Sequence, residues 1–229
     1  MIELVALDIA GTTIEEHGDV YAALREAVEA EGADVADALL QQWMGTDKRE
    51  AIAALVEAGG GRTLDAAGVE QAYARFRSRL QDRYREHPPV PIPGVPDALA
   101  ELQAGGVRVA LTTGFARDVA EPLVASVGWE VGGGLVDALV CVDEVAAGRP
   151  APYLVFRAME RTGVRDVRRV LVAGDTLADL QAGTNAGVGA VVGVATGALD
   201  LADLGAERHT HLLAGVADIP ALVARLTTG

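Results

Sequence analysis

Apolar residues in this chain fall into short, nearly continuous blocks, and between the blocks they recur at intervals of three and four. Ile2, Leu4, Val5, Ala6 and Leu7 make the first block, interrupted only by Glu3. Such a run reads as a buried parallel strand, since a strand with one wet face alternates. Similar blocks at 107–111, 138–142, 169–173, 189–194 and near 211–213 predict further strands. Helical spacing predicts helices over 95–104, 116–127, 151–162, 177–187 and 217–226. Strands and helices in alternation predict a parallel sheet with helices on both faces. From about Asp19 to Tyr84 the pattern is helical throughout, with Val20, Ala23, Leu24, Ala27 and Val28 on one stripe and Ala51, Ile52, Leu55 and Val56 on another. Gly59-Gly60-Gly61 stops the second of these, and a longer, charged helix reads from Ala66 to Tyr84. The Pro-rich stretch His87 to Gly94 cannot be helical throughout and reads as a return hinge. The expected fold is α/β: a doubly wound, Rossmann-like parallel-sheet core of residues 1–16 and 89–229, with a small all-α cap inserted at 17–88 after the first strand.

The polar residues that follow the blocks are not random. Asp8 comes directly after the first block and leads into Ile9-Ala10-Gly11-Thr12-Thr13. The strand at 107–111 runs into Thr112-Thr113-Gly114, and the one at 169–173 into Gly174-Asp175-Thr176 and then Asp179. In a parallel sheet these strand ends share the carboxyl edge, where open α/β folds bind ligands. Gly148-Arg149-Pro150 adds a cation in a loop. Two carboxylates, a hydroxyl beside a glycine amide, and a guanidinium outline a site for Mg²⁺ and phosphate, because hard oxygens suit the metal and donors suit the phosphoryl oxygens. Plainer readings stand beside this one: Asp8 as a turn cap, Asp175 as a helix N-cap, and Thr112 and Thr113 as caps of the next helix.

Taken in order, these four segments resemble the four motifs of the haloacid dehalogenase superfamily, over nearly the whole chain. Asp8 to Thr13, Thr112-Thr113-Gly114, Gly148-Arg149-Pro150 and Gly174-Asp175-Thr176 are most similar to its phosphonoacetaldehyde hydrolase, or phosphonatase, branch. The resemblance implies a Mg²⁺-dependent hydrolase. It makes Asp8 the nucleophile that forms an aspartyl-phosphate. Thr113, Gly114 and Arg149 then hold phosphate, and Asp8, the Ala10 main-chain carbonyl, Asp175 and Asp179 serve the metal. Ordinary phosphatases of the superfamily carry a second Asp two residues after the nucleophile as general acid, where this chain has Ala10. A carbon leaving group needs an electron sink instead, and a lysine imine is one. Met44-Gly45-Thr46-Asp47-Lys48 is similar to the segment that bears the imine-forming lysine, so Lys48 joins Asp8 and Arg149, which would orient Asp8, as a catalytic candidate. Two positions differ from that branch: Ala51 stands where it has a histidine, and Phe115 where it has an aromatic hydroxyl. These differences keep open an alternative, a phosphomonoester phosphatase acting on a small phosphorylated metabolite with Lys48 only binding substrate.

Composition narrows the partners. The chain has 229 residues and a formal charge of −14, with no basic patch, which argues against nucleic-acid binding. No apolar run is long enough to span a membrane, and no leader segment is visible. Cys141 is the only cysteine; it follows Leu139-Val140 in a strand-like run and reads as a buried structural thiol compatible with a reducing cytoplasm. The expected partner is a small phosphorylated or phosphonate metabolite, and a homodimer is compatible with the resemblance.

Overall fold

The computed structural model describes residues 1–197 and 199–228. In chain order the elements are β1 (Leu4–Leu7), β2 (Ile14–Glu15), α1 (Asp19–Glu29), α2 (Asp37–Gln41), α3 (Lys48–Ala58), α4 (Ala66–Glu86), β3 (Val90–Pro91), α5 (Val95–Ala104), β4 (Arg108–Thr113), α6 (Arg117–Ser126) and β5 (Ala138–Cys141). There follow α7 (Tyr153–Thr162), β6 (Val170–Gly174), α8 (Leu177–Ala186), β7 (Ala190–Val194), α9 (Leu201–Leu204), β8 (His211–Leu213) and α10 (Ile219–Thr228). Two compact units emerge, Met1–Glu15 with Val90–Gly229, and Glu16–Pro89.

The first unit is a six-stranded sheet in the order β5-β4-β1-β6-β7-β8, with every pair parallel. It is the Rossmann-like α/β core expected from the alternating pattern. β1 lies between β4 and β6, with Leu7 opposite Leu111 on one side and Ala173 on the other. Its four residues are all buried, which is why no polar alternation marks it. Leu4 and Ala6 share a packed face with Ala110, Val140, Val170 and Val172, against Leu154, Val155 and Ala158 of α7. Aromatics are only 4% of the chain, so the core rests on close approach of small and aliphatic side chains. Burying each Val or Leu contributes about 1.5–3 kcal/mol.

The elements lie close to the predicted segments and differ from them in detail. α7 begins at Tyr153 rather than 151, and α10 is preceded by a 3₁₀ turn at Val216–Asp218. The four-residue α9 has too few apolar positions for a period; Asp200 starts it by accepting the amides of Ala202 and Asp203 at 2.8 Å each. Within the Pro-rich stretch, β3 pairs antiparallel with β2, Ile14 opposite Pro91 and Glu15 opposite Val90. A strand of two residues with a proline carries no periodic signal.

The second unit is helical. α1, α3 and α4 pack on one another, and their Leu24, Val28, Ile52, Leu55, Phe76 and Leu80 are all buried. Buried Glu31 is held by Arg62 and Arg75, and buried Asp19 by Arg83 at 3.0 Å. No helix among the described residues is long and apolar enough to cross a membrane.

Cys141 closes β5 with no exposed surface, and burial pushes its thiol up to about 12. Only the thiolate reacts, so native protein at pH 7.5 is expected to react with Ellman's reagent at least about 10³-fold more slowly than protein unfolded in urea. Fast stoichiometric labelling of native protein would contradict this placement.

Candidate active site

Asp8 stands one residue past β1, its amide donating to the Ala173 carbonyl at 3.0 Å. Carrying the sheet register one step further puts it beside Thr112 of β4 and Gly174 of β6. The chain then turns tightly. The Ile9 carbonyl accepts the amides of Thr12, Thr13 and Ile14 at 3.3, 2.9 and 2.8 Å, and Gly11 takes a φ of 79°, a region that favours glycine. The Ala10 carbonyl takes no part in these bonds.

Arg149 is the hub. It is 4% exposed, and its Nη1 lies 2.5 Å from Asp8 Oδ1 and 2.8 Å from Asp179 Oδ1. Its Nη2 donates to the Thr112 carbonyl at 2.6 Å and to the Thr112 hydroxyl at 3.0 Å. One guanidinium therefore fixes three chain segments at once, through the planar fork of donors that a lysine lacks. Burial works against the charge of Arg149, but the carboxylates of Asp179 and Asp8 outweigh it and hold the group protonated.

Asp175 follows β6 and is 3% exposed. Its Oδ1 accepts the Thr12 hydroxyl at 2.8 Å, across 163 positions of sequence. The N-cap of α8 is Thr176 rather than Asp175. Asp179 completes a capping box with it, accepting the Thr176 hydroxyl at 2.5 Å and its amide at 3.2 Å through Oδ2. Asp179 thus braces Arg149 with one oxygen and the start of α8 with the other.

Thr113 ends β4 with its hydroxyl accepting the Phe115 amide at 3.1 Å. α6 begins only at Arg117, and Asp143 caps it by accepting the Arg117 amide at 3.1 Å. Thr113 and Gly114 therefore form a turn that precedes the helix, and neither Thr112 nor Thr113 is its cap.

Ligand oxygens of Asp8, Asp175 and Asp179 lie within 4.8 Å of one another, all three residues buried. Burial first, and then the charges of Asp8 and Asp179, push Asp175 well above the usual carboxylate range. Burial also pushes Asp179 up to about 6, with Arg149 opposing and Asp8 adding to the rise. When all three carboxylates are ionised, one guanidinium leaves two negative charges uncompensated. That deficit, lined with oxygen donors, fits a divalent cation.

Lys48 opens α3 in the helical unit and is 3% exposed. Its Nζ donates to the Thr46 carbonyl at 2.8 Å and lies 5.9 Å from the centre of the Tyr21 ring. Asp47, its neighbour, turns its carboxylate to the amides of Arg49 and Glu50 at 2.6 and 3.1 Å, capping α3.

Several contributors had little signal in the sequence. Thr12 and Thr112 stand next to stronger candidates in the sequence, and their partners Asp175 and Arg149 are distant along the chain. Thr196, past β7, donates to the Gly11 carbonyl at 2.6 Å across 185 positions.

Residues 2–187 match the family model of haloacid dehalogenase-like hydrolases. Phosphonoacetaldehyde hydrolase of Parabacteroides distasonis is 31% identical over 208 residues, covering 86% of this chain and 77% of that protein. A solved hydrolase from Pseudomonas syringae superposes with a TM-score of 0.84 at 19% identity, covering 98% of this chain and 99% of its own. A phosphonoacetaldehyde hydrolase-like protein from Oleispira antarctica gives 0.81 at 22% identity, covering 99% and 93%. At those identities the two structures speak for the fold, while the family model and the Parabacteroides relative speak for descent. The chain is a hydrolase that belongs to the haloacid dehalogenase-like family, on its phosphonoacetaldehyde hydrolase-like branch.

Proposed function

We propose that this hydrolase cleaves the carbon–phosphorus bond of phosphonoacetaldehyde or a closely related small phosphonate, using Asp8 as nucleophile, Lys48 as imine former and Mg²⁺ as cofactor. The observation that carries this reading is Ala10. A phosphatase that expels an alkoxide needs an acid at that position, and its loss costs about 10²–10⁴ in rate. A reaction that expels carbon into an imine has no use for it.

In this scheme the Lys48 amine condenses with the substrate aldehyde, releasing water and giving a protonated imine. Asp8 attacks phosphorus, and the carbon–phosphorus electron pair moves into the imine to leave an enamine. Water then releases phosphate from Asp8, and protonation and hydrolysis of the enamine free the aldehyde product and Lys48. Arg149, which donates to Asp8 Oδ1, would orient the Asp8 carboxylate and neutralise phosphate charge. Thr113 and the Gly114 amide accept the role of phosphoryl donors. Asp8, Asp175 and the Ala10 carbonyl would hold Mg²⁺, with Asp179 beside them, and the ion's charge there relieves the repulsion between a carboxylate and an anionic phosphoryl group. Lys48 suits the imine role because it is buried, where lysines used for such chemistry are found.

The test is borohydride trapping. With phosphonoacetaldehyde and borohydride present, the enzyme is expected to lose activity and gain a reduced adduct on Lys48, read by peptide mass spectrometry. Lys48→Arg should lower phosphate release from the phosphonate at least about 10³-fold. Absence of any adduct, together with hydrolysis of phosphate esters that survives Lys48→Arg, would turn the assignment to a phosphomonoesterase.

A further inference from the structure

The loop after β7 has no role in the scheme above, yet it touches both of the segments that carry the carboxylates. It leaves β7 with the Ala195 amide on the Leu213 carbonyl of β8 at 3.2 Å. Thr196 then donates to the Gly11 carbonyl at 2.6 Å. The next residue, Gly197, lies directly against Asp175. A methyl group added there would overlap Asp175 Oδ2 and stand 2.7 Å from its Cβ. A methyl added to Gly11, on the loop after β1, would stand 2.6 Å from the same Oδ2.

Gly11 has a conformational reason to be glycine, since its φ is 79°. Gly197 has none, because its φ lies outside the left-handed region. Any residue could follow that backbone, and what excludes a side chain is the space taken by the carboxylate. Asp175 is thus fixed on one oxygen by the Thr12 hydroxyl and on the other by two positions without a side chain.

We infer that Thr196 and Gly197 are positioning residues of the active site, setting the orientation in which Asp175 meets a divalent cation. The inference rests on the proposed metal role of Asp175. Groups that orient a metal ligand typically change affinity by 10–100-fold when altered. Gly197→Ala must turn the Asp175 carboxylate, whereas Thr196→Val removes one hydrogen bond and lets the loop after β1 drift.

The experiment is calorimetric titration of the metal-free protein with MgCl₂. Gly197→Ala is expected to weaken Mg²⁺ binding at least about tenfold. Thr196→Val should weaken it less, and Thr196→Ser should restore the parent's value. A second readout links the effect to Asp175. Gly197→Ala should lower the melting temperature of the metal-free parent but cost much less in an Asp175→Gly background, where every obstructing side-chain atom is gone. Equal Mg²⁺ affinity in the parent and a folded Gly197→Ala, or the same thermal penalty in both backgrounds, overturns the inference alone. Should Gly197→Ala fail to fold, equal affinities for Thr196→Val and Thr196→Ser overturn it. A parent that binds no Mg²⁺ at all overturns the metal site and the inference together.

Discussion

Asp8→Asn is expected to abolish phosphate release, with a loss of about 10⁴-fold or more, while leaving the fold intact. An amide oxygen is too poor a nucleophile to attack phosphorus, and removing a covalent nucleophile outright costs losses of this size or larger. The fold should survive because Asn has the same shape as Asp in a position that is 6% exposed. Arg149 also keeps a charged partner in Asp179 and its two contacts to Thr112. Steady-state phosphate assays paired with circular dichroism would check both halves. Residual turnover above about one part in a hundred in a folded Asp8→Asn protein would remove Asp8 from the nucleophilic role.

Asp175→Asn is expected to move stability in opposite directions with and without metal. In metal-free buffer near neutral pH the substituted protein should be the more stable. The reason is electrostatic. Asp175 and Asp179 both bind protons more tightly in the folded chain than their ordinary values, mainly through burial. Between the ordinary Asp value near 3.9 and about 6 for Asp179, the native state therefore holds more protons than the unfolded one, and stability falls as pH rises through that window. The metal-free parent should accordingly melt higher at pH 5 than at pH 7. Asn at 175 removes one of the crowded charges yet still accepts the Thr12 hydroxyl through its carbonyl oxygen. Saturating Mg²⁺ should raise the parent's melting temperature, as any ligand of the native state does, and leave Asp175→Asn nearly unmoved. Thermal melts at pH 5, 6 and 7, each in EDTA and in MgCl₂, test the crossing. A metal-free parent whose melting temperature rises steadily from pH 5 to pH 7 would contradict it.

Such a trade follows from how the site is built, and the same construction explains what the sequence could announce. β1, β4 and β6 were legible because each carries a run of apolar residues, broken in the 107–111 block only by Arg108, and each run is followed at once by a chemically distinctive residue or turn: Asp8, Thr112-Thr113-Gly114, Gly174-Asp175. Parallel strands bring such ends together by topology alone, so proximity could be inferred without coordinates. The division of labour among the residues could not. That Arg149 reaches Asp8, Asp179 and Thr112 together depends on the path of a loop, and that Asp179 caps α8 through Thr176 depends on a rotamer. Gly197 was invisible for a different reason: its contribution is the absence of atoms beside Asp175, which no pattern of residue types encodes. The β2–β3 ribbon was hidden by its length, since two residues cannot display a period of two.

That ribbon has a consequence for how the chain can change over time. Glu15 and Val90 are cross-strand neighbours, so the polypeptide leaves the α/β unit and comes back to it at adjoining stations, however much lies between. Lengthening, shortening or exchanging the intervening stretch alters only an excursion whose two ends are already tied, and the cost of closing a longer excursion grows slowly with its length. The α/β framework can thus stay constant while the excursion is rewritten.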